Sequence, residues 1–139
     1  MKRVLVDTGP LVAIISENDR HHDICTRQLR DLTPPLLTCW PVITEAAYLL
    51  RRDIIAVQRL LEGFEVGLLD LLPIERDAAP WISAFLQQYR DLAPQLADAC
   101  LVWLAERENI DTIFTLDRRD FTAFRLGSGR GLNLLPVQL

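Results

Sequence analysis

Two acidic residues stand where apolar strands should end. Val4-Leu5-Val6 stops at Asp7-Thr8-Gly9-Pro10, and Thr112-Ile113-Phe114-Thr115-Leu116 stops at Asp117. A short apolar run bounded by turn residues is how a strand buried on both faces reads, and ligands of open α/β sheets gather beyond such carboxyl ends. Two further acids fall in stripes that should face a core. Val42, Glu45, Ala46 and Leu49 are spaced i, i+3, i+4, i+7, and Asp98, Leu101, Val102 and Ala105 repeat that spacing. Acidic side chains are rarely buried unless paired or metal-bound. Each has a plainer reading. Asp7 suits a turn or helix cap. Glu45 and Asp98 lie near helix starts, where the dipole favours negative charge by about 0.3–1 kcal/mol. Asp120 suits the first turn of a short helix.

Four carboxylates that converged without cations would repel one another, raise their own pKa values and weaken the fold. One or two divalent ions remove that penalty. Oxygen-only ligands, with no His or Cys beside them, suit hard cations such as Mg²⁺ or Mn²⁺. Paired metals roughly 3.5–4 Å apart activate water and stabilise both oxygens of a phosphodiester displacement. The residue types therefore point to metal-dependent phosphoryl chemistry. Thr115, two residues before Asp117, shares its strand face and is placed to support such a site.

Elements that position these acids can be read along the chain. Pro10 suits the first turn of a helix through Leu11–Ile15, with Thr8 or Gly9 as cap. Asn18-Asp19 suits the start of a second, closed by Pro34-Pro35 ahead of a strand Leu36–Cys39. Pro41 opens a helix carrying Thr44-Glu45, and a fourth has Val57, Leu60, Leu61 and Phe64 on one face with Gly63 and Gly67 at its fraying end. A strand over 68–72 follows, then a helix over 77–89, and one from Pro94 to about Glu108 that bears Asp98. The strand before Asp117, a glycine-rich loop over 125–131 and a last edge strand over 132–137 complete the chain. Strands alternate with helices throughout, which predicts an α/β fold: a three-layer α/β/α sandwich around a central parallel sheet.

With 139 residues, 50% hydrophobic and 24% charged, the chain reads as one domain over residues 1–139 with room for a sizeable core. No apolar stretch approaches the roughly 18–20 residues that span a bilayer, and the apolar run after Met1-Lys2-Arg3 breaks at Asp7, too short for a secretory signal. A cytoplasmic protein is expected. Cys25, Cys39 and Cys100 are odd in number and lack Cys-x-x-Cys spacing, so buried thiols are expected rather than disulfides or zinc ligands. Net charge of −4 argues against a generally basic nucleic-acid binder, although carboxylates that hold metal ions can still take a phosphate substrate.

Taken in order, Val4-Leu5-Val6-Asp7-Thr8-Gly9-Pro10-Leu11, Thr44-Glu45, Ala97-Asp98-Ala99 and Phe114-Thr115-Leu116-Asp117-Arg118-Arg119-Asp120-Phe121 resemble the PIN domain over nearly the whole chain. The group resembled is the small PIN ribonucleases of the VapC toxin type. That resemblance implies Mg²⁺- or Mn²⁺-dependent cleavage of RNA. Asp7, Glu45, Asp98 and Asp117 would be the catalytic carboxylates around the metal, with Asp120 as an extension and Thr8 and Thr115 in support. It also implies a homodimer and a small antitoxin partner. The sequence departs from the family in its acidic balance and in its Gly127-Ser128-Gly129-Arg130-Gly131 loop.

The paired arginines also suit a solvated charged surface. Among Arg51-Arg52, Arg118-Arg119 and Arg125/Arg130, the pair Arg118 and Arg119 is best placed to meet substrate phosphate because it follows Asp117. His21-His22 lacks a second ligand cluster, and the 127–131 loop lacks the Lys-Ser/Thr of a P-loop. Trp40, Trp81 and Trp103 read as core or dimer contacts. A catalytically silent PIN-like module that binds RNA or protein is the alternative function, disfavoured because binding alone needs no four converging acids. A haloacid-dehalogenase-type phosphatase would want an acid two residues after Asp7, where Gly9 stands.

Overall fold

The computed structural model describes residues 2–139. Five short parallel strands form the centre: β1 (Leu5–Val6), β2 (Leu36–Thr38), β3 (Leu69–Leu71), β4 (Thr112–Phe114) and β5 (Asn133–Leu135), in the order β3-β2-β1-β4-β5. Seven helices connect them: α1 (Thr8–Ile15), α2 (His22–Arg30), α3 (Trp40–Leu49), α4 (Ile54–Glu65), α5 (Ala79–Gln88), α6 (Leu96–Glu108) and α7 (Arg118–Ala123). The expected parallel α/β architecture is observed. Because β1 lies between β2 and β4, with the strands added later in the chain lying on both sides of it and all running parallel, the loops after β1 and β4 open side by side at the carboxyl edge. Register places Leu5 opposite both Leu37 and Ile113, and Val6 opposite Phe114.

Central strands are apolar because helices cover both faces. Leu5, Val6, Leu36, Ile113 and Phe114 are all buried. At about 25 cal/mol per Å² of apolar surface, burying each such side chain favours folding by about 1.5–3 kcal/mol. Gly9 is where α1 and the end of β4 approach: a Cβ there would lie 3.3 Å from Leu116. Its lack of a side chain lets the two acid-bearing loops close on each other.

Several elements differ from expectation, each for a local reason. The helix expected over 77–89 is split into a 3₁₀ turn at Arg76–Ala78 and α5, with Pro80 in the first turn of α5, where its missing N–H does no harm. Gly63 lies inside α4, buried, and packs on Leu69, where a Cβ would lie 3.0 Å from Leu69 Cδ1. Only Gly67, with φ of 82°, makes the turn out of the helix. The core face of α4 is Ala56, Leu60 and Gly63, so Leu61 points to solvent. All three cysteines are free and buried, as composition indicated. Among the described residues no helix is long and apolar enough to cross a membrane.

Candidate metal centre

Asp7 occupies the N-cap position of α1, yet its side chain makes no cap hydrogen bond. The Thr115 hydroxyl donates to Asp7 Oδ2 at 2.7 Å, across the seam between β1 and β4, and accepts from the Asp117 amide at 3.0 Å. Thr115 is fully buried, so this hydroxyl ties both strand-end acids to one fixed point. The plain capping role for Asp7 does not hold. Asp117 does cap: its Oδ1 accepts from the Asp120 amide at 3.1 Å and starts α7, which turns Asp120 back toward Asp117.

Glu45 and Asp98 arrive from helices. The core face of α3 is Val42, Ile43, Ala46 and Leu50, while Leu49 is exposed. Glu45 therefore sits half-buried at the margin of that face rather than within it. The Thr8 hydroxyl donates to Glu45 Oε2 at 2.6 Å and aims the carboxylate into the cleft. Asp98 is buried in the first turn of α6, a helix whose residues 97–102 are buried all round. Its stripe in the sequence thus reflects a helix buried on every side over residues 97–102. A capping box holds it: Gln95 N–H donates to Asp98 Oδ2 at 3.0 Å, and the Gln95 side chain accepts from the Asp98 amide.

These side chains line one cleft of about 420 Å³ at the carboxyl edge of the sheet, built from Asp7, Glu45, Asp98, Asp117 and Asp120 with Thr8 and Gln95. Asp98, Asp117 and Asp120 lie closest, each offering a carboxylate oxygen within 4.8 Å of the others. Among the described residues no lysine, arginine or histidine lines the cleft. Burial raises the Asp7 carboxyl to about 6, against the Thr115 hydrogen bond that lowers it, with the Glu45 and Asp117 charges adding to the rise. Burial also raises Asp98 to about 7, helped by the charge on Asp7. Asp120 is raised by desolvation and by Asp117. An acid set this mutually repulsive and oxygen-only, with Arg119 reaching it only from the rim, fits a hard divalent cation.

Gln95 was not singled out from the sequence, though Gln95-Leu96-Ala97-Asp98 has the four-residue spacing of a capping box. Asp120 is more central than its position as an extension suggested. Arg118 is not brought to the cleft: its guanidinium donates to the carbonyls of Pro136 and Val137, the latter at 3.1 Å. That contact instead fastens the C-terminal segment to α7. Arg119 is exposed, with Nε 3.9 Å from Asp120 Oδ1 at the cleft rim. His22 Nδ1 lies 2.7 Å from the Ala13 carbonyl, a structural contact between α2 and α1.

The chain is similar to known proteins in sequence and in fold. The sequence profile of the PIN domain matches residues 4–125. Ribonuclease VapC26 of Mycobacterium tuberculosis is 31% identical over 133 residues, covering 91% of this chain and 96% of the relative. Among solved structures, the M. tuberculosis VapC20 toxin, described as cleaving the Sarcin-Ricin loop, superposes with a TM-score of 0.76 at 17% identity, over 84% of this chain and 91% of that one. A toxin–antitoxin complex from Klebsiella pneumoniae gives 0.67 at 19% identity, over 87% and 92%.

Proposed function

The chain belongs to the PIN domain family, and from that premise we propose that it is a divalent-metal-dependent endoribonuclease, the toxin of a toxin–antitoxin pair, acting in the cytoplasm. The observation that carries this reading is the convergence of five carboxylates in one cleft that, among the described residues, no cationic side chain lines. Asp7, Glu45, Asp98 and Asp117 are the catalytic acids in this reading, with Asp120 completing the set. Mg²⁺ or Mn²⁺ bound there would supply an activated water and shield the charge that builds on the scissile phosphate.

The chain's own part is preorganisation. One oxygen of each of three acids is tied down: Asp7 Oδ2 by Thr115, Asp98 Oδ2 by the Gln95 amide, and Asp117 Oδ1 by the Asp120 amide. Each carboxylate is thus fixed in orientation while keeping a second oxygen to offer as a ligand. Such outer partners are typically worth 10–100-fold in metal affinity or activity. Thr8 does the same for Glu45. Arg119, at the rim, is positioned to meet substrate phosphate; Arg118 is committed elsewhere.

Protein partners have a surface to use. Trp40, Tyr48, Leu49, Ile54, Ile55 and Leu96 are all more than 40% exposed, and the groove lined by Trp40, Tyr48 and Leu96 shares Glu45 and Gln95 with the acid cleft. Large exposed apolar side chains that line one groove, as Trp40, Tyr48 and Leu96 do, mark a protein interface. We assign it to a second copy of the chain, and propose that a small antitoxin protein regulates the cleft beside it. The test of the activity is single-stranded RNA incubated with Mn²⁺ or Mg²⁺. Metal-dependent cutting that Asp7→Asn loses supports the enzyme; binding without metal and without cutting supports a silent module.

A further inference from the structure

A second cavity of about 430 Å³ lies at the far ends of α6 and α7, away from the acids. Asp98 and Glu106 are eight residues apart on α6, about 12 Å at 1.5 Å per residue. One wall is aromatic: Trp81 and Phe85 stack with centroids 5.4 Å apart and planes at 17°. Glu106, Arg125 and Gly127 also line the cavity. The Gly127 amide donates to Glu106 Oε2 at 2.7 Å, and a Cβ on residue 127 would fall 2.6 Å from Glu106 Oε1. The loop is folded on itself, with Gly129 at φ of 84° and its amide donating to the Leu126 carbonyl at 2.8 Å. Its residues 126–131 lie beyond the span matched by the PIN profile.

An aromatic shelf, an acceptor-only carboxylate and a nearby guanidinium make a defined chemistry. Aromatic planes take up unstacked bases, whose edges are then read by hydrogen bonds. Guanine alone among the bases presents two adjacent N–H donors, N1–H and N2–H, on one edge, and a carboxylate accepts both. Glu106 retains that capacity, because each carboxylate oxygen has two acceptor sites and the Gly127 amide uses one of the four. Arg125, held by the carbonyls of Thr122 and Phe124 at 2.6 and 2.9 Å, adds fixed positive charge for a phosphate attached to the base. We propose that this cavity is a guanine-selective nucleotide site, in which Trp81 stacks the base and Glu106 reads its edge. The proposal rests on the ribonuclease reading only for the source of the base: a guanosine of the RNA strand held beside the cleft, or a free guanine nucleotide.

Tryptophan fluorescence, with Trp81 in the wall, reports occupancy. Guanosine monophosphate should quench saturably, and adenosine monophosphate should bind at least tenfold more weakly. Glu106→Gln keeps an acceptor for the Gly127 amide, so the loop stays closed, but should weaken guanosine monophosphate at least tenfold; circular dichroism checks the fold. Equal quenching by both nucleotides, an unaltered affinity in Glu106→Gln, or occupancy by arginine amide in place of guanosine monophosphate overturns the site. A single-stranded hexamer with one guanosine, measured on Asp7→Asn protein, separates the sources. Tenfold tighter binding than the mononucleotide assigns the base to the strand, and equal binding assigns it to free nucleotide. Selective guanine binding by a protein that never cuts RNA would sink the nuclease reading and leave the site; cutting without selective binding would do the reverse.

Discussion

Replacing Asp7 with Asn should make the metal-free protein more stable while destroying its chemistry. Asp7 is 6% exposed, and its carboxyl titrates at about 6 rather than near 3.8. Holding it ionised at pH 7.5 therefore costs about 3 kcal/mol at 1.36 kcal/mol per pH unit. The native pKa is raised, so the native state keeps a proton that the unfolded chain has released, and stability falls as pH climbs from about 4 to about 6. Asn removes that cost, and its carbonyl oxygen still accepts from Thr115. We expect a gain of about 2–3 kcal/mol at pH 7.5, which for a chain of this size is a rise of about 8–12 °C in Tm. At pH 4 the gain should vanish. Thermal unfolding of both proteins in a chelator, at pH 4 and pH 7.5, measures it. A Tm for Asp7→Asn that is unchanged or lower at pH 7.5, or a shift independent of pH, would refute the electrostatic account of the cleft.

Four further outcomes follow from the same geometry. Saturating Mn²⁺ should raise the Tm of the wild type at pH 7.5 and do so far less at pH 5, because the ion must displace protons from Asp98 and Asp7, which titrate at about 7 and about 6; calorimetric titration across that range checks it. Thr115→Val should lower RNA cleavage by about 10–100-fold with the fold intact, since it removes the hydroxyl that Asp7 and Asp117 share. Gly63→Ala should overpack against Leu69 by about 1–3 kcal/mol and gain about 1 kcal/mol of helix propensity, a net loss of up to about 2 kcal/mol read by urea unfolding. Leu96→Glu, at a side chain 57% exposed, should convert the proposed dimer to a monomer in light scattering without lowering the monomer's own stability.

Much of this site could be read in the sequence because strand ends are punctuated there. Asp7 and Asp117 each follow an apolar run too short to be anything but a buried strand, and parallel pairing of β1 with β4 then brings the two ends together. Glu45 and Asp98 were found by a pattern whose cause differs from the inference. Glu45 borders the core face of α3 without belonging to it, and Asp98 lies on a helix with no polar face over its first two turns. What hid from the sequence depends on contacts between distant residues. The link from Thr115 to Asp7 joins residues 108 apart, and the Arg118 guanidinium turns to carbonyls at the C-terminus instead of the adjacent cleft. Trp40 read as either a core or a dimer contact, because its apolar neighbours suit both, and the structure leaves it 55% exposed. Gly63 read as a helix end because its packing partner, Leu69, is six residues on in β3.

Diffraction from crystals soaked in Mn²⁺ at pH 7.5, with the ion located by its anomalous signal, tests the central claim most directly. Density should appear in the cleft, within coordinating distance of carboxylate oxygens from Asp98 and Asp117 and of at least one of Asp7, Glu45 or Asp120, and it should be lost in Asp98→Asn crystals. A cleft that stays empty at saturating Mn²⁺ in a protein that still cuts RNA, or an ion bound only elsewhere on the surface, would contradict the account.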